Sequence, residues 1–411
     1  MLKINFVLLF ILIPLLLILN CACTAQTPPT VEINIASTEA INKDDTEEIN
    51  INALLQETEH ELTAAENEAL FIEEIIHSMD LKERVSQLFI LELGENLNKN
   101  SDELTRIIPE NAAGGYILFQ SNISTLEGTK TLTDTIKNLS KIPPFICLDE
   151  EGGAVSRLQK AGLPGYNKQP TAYSIGVTND AQQAYRTGLT IGKTLASLGV
   201  NVDFAPVADI VTNPRNKVIG SRSFGSDPIL VSNMVSAFQA GLHTQGIMSA
   251  PKHFPGHGNT YGDSHLNSVL SESSPAQLAS VEYIPFIRAI NEGAEFIMIG
   301  HIIAPQAEPA GLPATLSFYF VTDILRNELG FTGISITDAM NMGAITKHYS
   351  SAEAAVLAIA AGIDMILMPE DYPAAIEGVL LALQEGVLSS ECIDESLRRI
   401  LHTKLTAKLI Q

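Results

Sequence analysis

The feature that narrows the fold most is a regular alternation. From Phe71 onward, short apolar runs rich in β-branched residues take turns with longer amphipathic segments. Eight runs read as strands: Phe89–Glu92, Tyr116–Phe119, Phe145–Asp149, Val202–Ala205, Ile247–Lys252, Phe296–Gly300, Ile334–Thr337 and Met365–Met368. The segments Gln182–Leu198, Ile229–Gln245, Pro275–Asn291, Val321–Leu329, Ala352–Ala361, Pro373–Gln384 and Glu391–Leu405 read as helices. Asp227-Pro228, Ser274-Pro275 and Tyr372-Pro373 put proline at or near a first helical position, where its missing N–H costs nothing. Strands that alternate with helices form a parallel sheet. Eight of them over about 340 residues fit a (β/α)8 barrel with some enlarged loops. A doubly wound open sheet is the alternative.

Five of these strands run straight into ionisable groups: Asp149-Glu150-Glu151, Asp203 through Asp209, Lys252-His253, His301 and Asp338. A barrel opens all C-terminal strand ends on one face, so these residues would converge on one pocket, as in an enzyme. The densest stretch, Lys252 to His265, holds three histidines, a lysine and an aspartate, and its Pro255, Gly256, Gly258 and Gly262 forbid a regular helix. Asp263 and His265 stand two apart, so a carboxylate could fix the imidazole tautomer and stabilise its charged form. Asp338 ends a β-branched strand; it suits a nucleophile that attacks an acetal carbon, and equally a helix N-cap. Asp149 and Arg157 flank a glycine pair, and carboxylate and guanidinium are the usual grips on sugar hydroxyls. Arg222 stands alone among small residues and could point into the same pocket.

The N-terminus reads as an address. One cation, Lys3, precedes an unbroken apolar run from Phe6 to Leu19, shorter than a spanning helix needs and suited to a signal segment. It ends at Asn20-Cys21-Ala22-Cys23, which resembles a bacterial lipoprotein signal with Cys21 or Cys23 as the lipidated residue. An uncleaved or Sec-cleaved soluble export signal is the plainer alternative. Of the formal charge of −22, a share of −12 lies between Thr24 and Arg84, and Gln26 to about Glu68 contains no aromatic residue. That composition reads as a solvated tether. The expected organisation is a signal segment over 1–23, a tether over 24–68 and a barrel over 69–411. The acidic balance lacks the basic footprint of nucleic-acid binding.

Taken in order, LDEEGG with Arg157, NVDFAPVADI, GSRSFG, KHFPGHG followed by DSH, MIGHI and ITDAM resemble glycoside hydrolase family 3, in its β-N-acetylglucosaminidase branch. The resemblance covers the chain from about Phe71. It implies a (β/α)8 barrel, Asp338 as catalytic nucleophile, His265 as loop-borne acid/base and Asp263 as its partner. It implies that Asp149, Arg157, Arg222, Lys252 and His253 hold the terminal sugar. Two departures stand out: Ala154 replaces an arginine frequent in the family, and the sequence ends after the barrel. The second favours relatives that use the histidine loop over those that draw the acid/base from a second domain.

The resulting expectation is retaining hydrolysis of terminal β-linked N-acetylglucosamine without a cofactor or metal, by an exported, membrane-anchored monomer of the cell envelope. Fragments of peptidoglycan are the expected substrates. Phosphate could replace water as acceptor. Two other classes stay open. His253, His257, Asp263, His265 and Asp338 could bind a divalent metal in a barrel hydrolase, although Pro-Gly between the first two histidines spoils helical spacing. A non-catalytic sugar-binding lipoprotein would share the anchor and the tether.

Overall fold

Runs of about four apolar residues are too short for helices and long enough to cross a sheet. The computed structural model, which describes residues 63–94, 101–262 and 269–411, forms strands from them. In chain order these are β1 (Phe89–Glu92), β2 (Gly115–Ile117), β3 (Phe145–Leu148), β4 (Val202–Asp203), β5 (Met248–Ser249, continued by Lys252–Phe254), β6 (Phe296–Ile299), β7 (Ile334–Thr337) and β8 (Ile366–Leu367). Each pairs in parallel with its sequence neighbour from β1 to β5, with registers such as Leu91↔Tyr116, Tyr116↔Ile146 and Val202↔Met248. β5 then passes from one arc to the other, because Lys252 pairs with Met298 and Phe254 with Ile299 of β6. The β6–β7 ladder, the Ile336↔Met365 bridge and the β8–β1 pairing of Phe89 with Ile366 close the ring. A closed parallel ring of eight is the (β/α)8 barrel, and the open-sheet alternative is excluded.

The interior is packed. β3, β6 and β7 are buried at every position. Phe145 and Phe296, on strands that are not neighbours, meet edge to face with centroids 5.1 Å apart across the barrel. Outside, Ala181–Ser197 and Pro228–His243 pack closely enough that a Cβ on Gly188 would lie 2.2 Å from the Phe238 carbonyl oxygen. Glycine at that position sets the approach.

The three proline signals each mark the start of a helix or helical turn. Asp227 caps Pro228–His243 by accepting from the Leu230 N–H at 2.7 Å, and Ser274 caps the turn that begins at Pro275. Two expectations change. Pro275–Asn291 is not one α-helix: a short turn and a wide segment over Leu278–Glu282 precede the helix Ile284–Asn291. Pro285 has no N–H to continue the α ladder, which accounts for the break. The first helix among the described residues runs Ala64–His77 and so begins inside the stretch assigned to the tether. Its start is a capping box, with the Glu66 N–H given to Thr63 Oγ1 and the Thr63 N–H to Glu66 Oε2. Cys21 and Cys23 lie outside the described residues, among which no helix is long and apolar enough to cross a membrane.

Candidate active site

The ends of β3, β5 and β7 and the loop after β4 deliver ionisable side chains to one cavity of about 320 Å³ at the C-terminal face of the barrel. Asp149, Arg157, Arg222, Lys252, His253 and Asp338 all line it. Six of the eight residues singled out in the sequence for catalysis or sugar binding are thus brought together. The other two, Asp263 and His265, lie outside the described residues. The chain on either side of them is held by a ribbon in which Thr260–Tyr261 pairs antiparallel with Val269–Ser271, itself paired with Ile302–Ile303.

One wall is an ion-pair cluster. After β3 the chain turns through a ribbon of Glu150–Gly152 and Val155–Ser156, which sends alternate carboxylates to opposite sides. Asp149 and Glu151 both accept from Lys252 Nζ, at 2.7 and 2.8 Å. Arg157 Nη2 completes Asp149 at 3.0 Å. Arg222 grips Glu151 with two nitrogens, at 2.8 and 2.9 Å. The Arg157 guanidinium also lies 5.1 Å from the centre of the Phe119 ring. Burial alone would raise both carboxyls and lower the lysine; the mutual attractions outweigh it, so Asp149 and Glu151 are held below the usual carboxylate range and Lys252 above the usual ammonium value. Charged groups fixed in this way present preset hydrogen-bonding positions to a polar ligand.

Glu150, the middle acid of the three, turns away from the cavity. It accepts from Tyr166 Oη and the Leu158 N–H, each at 3.0 Å, and burial raises its carboxyl. Asp203, fully buried below, takes the Glu150 N–H at 2.9 Å, and burial drives its carboxyl well up. Both serve the framework.

Asp209 closes the polar stretch Asp203 through Asp209 that follows β4, and the structure shows what it holds. Its Oδ2 lies 2.7 Å from His253 Nδ1, and its Oδ1 accepts the backbone N–H groups of His253 and His257 at 3.1 and 2.7 Å. Burial raises the Asp209 carboxyl less than His253 and these bonds lower it. His257 also lines the cavity. The single proton of the Thr260 hydroxyl goes to the His257 carbonyl, so at 2.8 Å His257 Nδ1 must donate to Thr260 Oγ1. Its Nε2 is then a bare acceptor, and burial lowers this imidazole to about 4, which keeps it neutral.

Asp338 follows β7 directly, its N–H continuing the ladder to Ile299 O at 2.8 Å. Its Oδ1 accepts the Ala339 N–H at 2.8 Å, while His301 Nε2 holds the Ala339 carbonyl at 2.9 Å. Burial would raise the Asp338 carboxyl. His253, His301, the Ala339 N–H and Lys252 more than offset it and keep the group ionised near neutral pH. Among the described residues no group of three or more His, Cys, Asp or Glu side chains is arranged to hold a metal ion.

A carboxylate held ionised at a strand end, facing an ion-paired clamp at the mouth of a barrel, is an arrangement for acetal chemistry. Residues 80–403 match the N-terminal domain of glycosyl hydrolase family 3. The chain belongs to glycosyl hydrolase family 3. It is 33% identical over 340 residues to beta-hexosaminidase A of Pseudoalteromonas piscicida, covering 75% of this chain and 56% of that protein. It is 31% identical over 293 residues to a beta-hexosaminidase of Stenotrophomonas maltophilia, covering 70% of this chain and 84% of that one. The structure of a family 3 beta-N-acetylglucosaminidase from Paenibacillus sp. strain FPU-7 superposes with a TM-score of 0.77 and 36% identity, covering 80% of this chain and 63% of that one. The chain thus spans little more than half of the first relative and most of the second.

Proposed function

We infer that this family 3 chain is a retaining exo-β-N-acetylglucosaminidase. The observation that carries the reading is the pairing of an ionised Asp338 with the Asp149–Lys252–Glu151–Arg222 clamp across one cavity. A volume near 320 Å³ is at the small end for ligand pockets and suits one terminal sugar better than a long chain. The beta-hexosaminidase relatives support the choice of sugar.

Asp338 Oδ1 is engaged by the Ala339 N–H, which leaves Oδ2 to attack the anomeric carbon. The bond from that carbon to the aglycone oxygen breaks as His265, protonated and paired with Asp263, gives its proton to the departing oxygen. A covalent glycosyl-aspartate results. The imidazole, now neutral, takes a proton from water, whose oxygen attacks the anomeric carbon and frees Asp338. Asp149, Arg157, Arg222, Lys252 and His253 hold the ring during both steps. A neutral base also admits phosphate as the acceptor. The roles of His265 and Asp263 rest on the family resemblance of the DSH segment.

The sequence over 1–62 supports an exported protein tethered by a lipid on Cys21 or Cys23, with peptidoglycan fragments as the accessible substrates. The deciding assay uses nitrophenyl β-N-acetylglucosaminide beside the matching β-glucoside, each with and without EDTA and inorganic phosphate. Release from the N-acetyl substrate alone, unaffected by EDTA, is expected. No release, or release that EDTA stops, sinks the reading. A sugar phosphate as product would make the chain a phosphorylase.

A further inference from the structure

Glu282 is a carboxyl with no evident reason to be where it is. It is 1% exposed, at the end of the wide segment Leu278–Glu282, and neither carboxyl oxygen has a hydrogen-bond partner. Tyr283, next in the chain, stacks on Phe254 at 5.3 Å, and Phe286 meets the same ring edge-on at 5.4 Å. An unpartnered buried polar group is costly, and apolar side chains of the same size would fill the space.

Its contacts show what depends on it. A Cβ built on Gly256 would lie 2.7 Å from Glu282 Oε2 and 2.8 Å from its Cβ, so the glutamate occupies the space a side chain at 256 would take. Gly256 closes the turn that carries the site histidines, giving its N–H to the His253 carbonyl at 2.8 Å. On the other side of that turn Asp209 takes both the His253 ring and the His257 N–H. His253 is in turn the foremost favourable influence on the Asp338 carboxylate. The path from Glu282 to the nucleophile is therefore a short series of packed and hydrogen-bonded groups.

We propose that Glu282 is a positioning residue for the glycosidase reaction: a neutral carboxyl that props the His253–His257 turn, and whose ionisation disables the site. The proposal rests on the family 3 glycosidase reading above. The titratable groups around it are Asp209 on the β4 side, His253 and His257 on the turn, Arg222 beyond them, and Tyr283 on its own segment, whose hydroxyl burial raises. Burial, and then the negative charge of Asp209, raise the Glu282 carboxyl to about 8. Above that pH a second anion appears beside Asp209, unpaired, under a turn that has no room to hydrate it.

The test is a pH series on the full chain, with kcat/KM from pH 6 to 9 for the dinitrophenyl N-acetylglucosaminide. Its phenolate departs without a proton from His265, which takes the acid's own titration out of the profile. The parent should lose about tenfold between pH 7 and pH 9, following the neutral fraction of one acid. Glu282→Gln, a neutral isostere, should keep activity within about threefold at pH 7 and lose less than about twofold by pH 9. A parent profile flat to pH 9, or an alkaline limb that Glu282→Gln leaves in place, overturns the proposal. Melting temperatures give a second readout that needs no turnover. The parent is stabilised by the neutral carboxyl below the ordinary glutamate value of 4.5 and loses that stabilisation as pH rises toward 8. The glutamine variant should therefore melt increasingly above the parent from pH 5 to pH 8, with a constant gap beyond. A gap independent of pH shows that Glu282 is not a buried neutral acid. An inactive parent overturns the glycosidase reading and the catalytic half of this proposal, while the melting gap still reports on the carboxyl itself.

Discussion

Two residues separate function from stability. Asp338 is held ionised by its neighbours, and Asp338→Asn keeps the shape while it removes the attacking charge. Turnover should fall about a thousandfold or more with an unchanged circular dichroism spectrum; a variant within about tenfold of the parent would remove Asp338 as nucleophile. Lys404 is the opposite case. It is fully buried under the N-terminal end of the barrel, 5.1 Å from the centre of the Phe145 ring, with one hydrogen bond, to Gln87 Oε1 at 3.0 Å. Burial lowers this ammonium to about 7, far from any site chemistry. Its folded value lies below the unfolded 10.5, so the lysine weakens the fold fully below pH 7, and the penalty fades as pH rises from 7 to 10.5. Lys404→Met should raise the melting temperature most below pH 7, with a gap that narrows toward pH 10, and leave kcat/KM unchanged. A melting gap that is absent or independent of pH would show that the buried cation is not destabilising.

At the scale of elements, the loops after β4 and β5 are laced by two buried asparagines. Asn213 Nδ2 donates to Thr260 O at 2.9 Å, Asn216 Nδ2 to His257 O at 2.7 Å, and Asn216 Oδ1 accepts the Ile219 N–H at 3.0 Å. Ile219 leads directly into the turn Gly220–Arg222, so the lacing fixes where the Arg222 fork points. Asn216→Ala should cost about 1–3 kcal/mol in denaturant unfolding and raise KM about tenfold through the loosened fork. An unchanged KM would mean that Arg222 is placed by Glu151 alone. Such lacing was not legible in the sequence, because asparagines over 40 positions from their partners become significant only when the fold joins them. The strand-end position of Asp209 was readable, but its partner was not, for the same reason: it accepts from backbone N–H groups of a turn 44 residues away. The strands and the starts at Pro228, Pro275 and Pro373 were legible because β-branched runs and prolines at first helical positions act locally. Asp149, Lys252 and Asp338 could be read as one site because a barrel brings every strand end to one face. The break at Leu278–Glu282 was missed, since amphipathic spacing reads through a proline that removes one N–H.

At the scale of the whole molecule, the point where the folded part begins is set by packing, not by composition. The segment up to Glu68 looks solvated in sequence, yet the helix from Ala64 buries Ile72 and Ile76 and places Glu73 2.6 Å from Arg398 of the last helix. The last helix, Ser390–Thr406, in turn carries Lys404 to the base of the barrel. A chain that begins at Thr63 keeps the capping box; one that begins at Phe71 loses it together with the first half of the helix. The first should melt with the full-length protein and match its kcat/KM. The second should be weaker by about 1 kcal/mol or more from the lost cap, with Ile72 and Ile76 on a helix too short to persist. If residues 1–62 are only an anchored tether, removing them should also move the protein from the detergent-rich to the aqueous phase on Triton X-114 partition. Partition to the aqueous phase by the full-length protein purified from its native envelope would contradict the lipid anchor without touching the barrel. A loss of kcat/KM in the chain from Thr63 would instead show that the acidic segment contributes to the site.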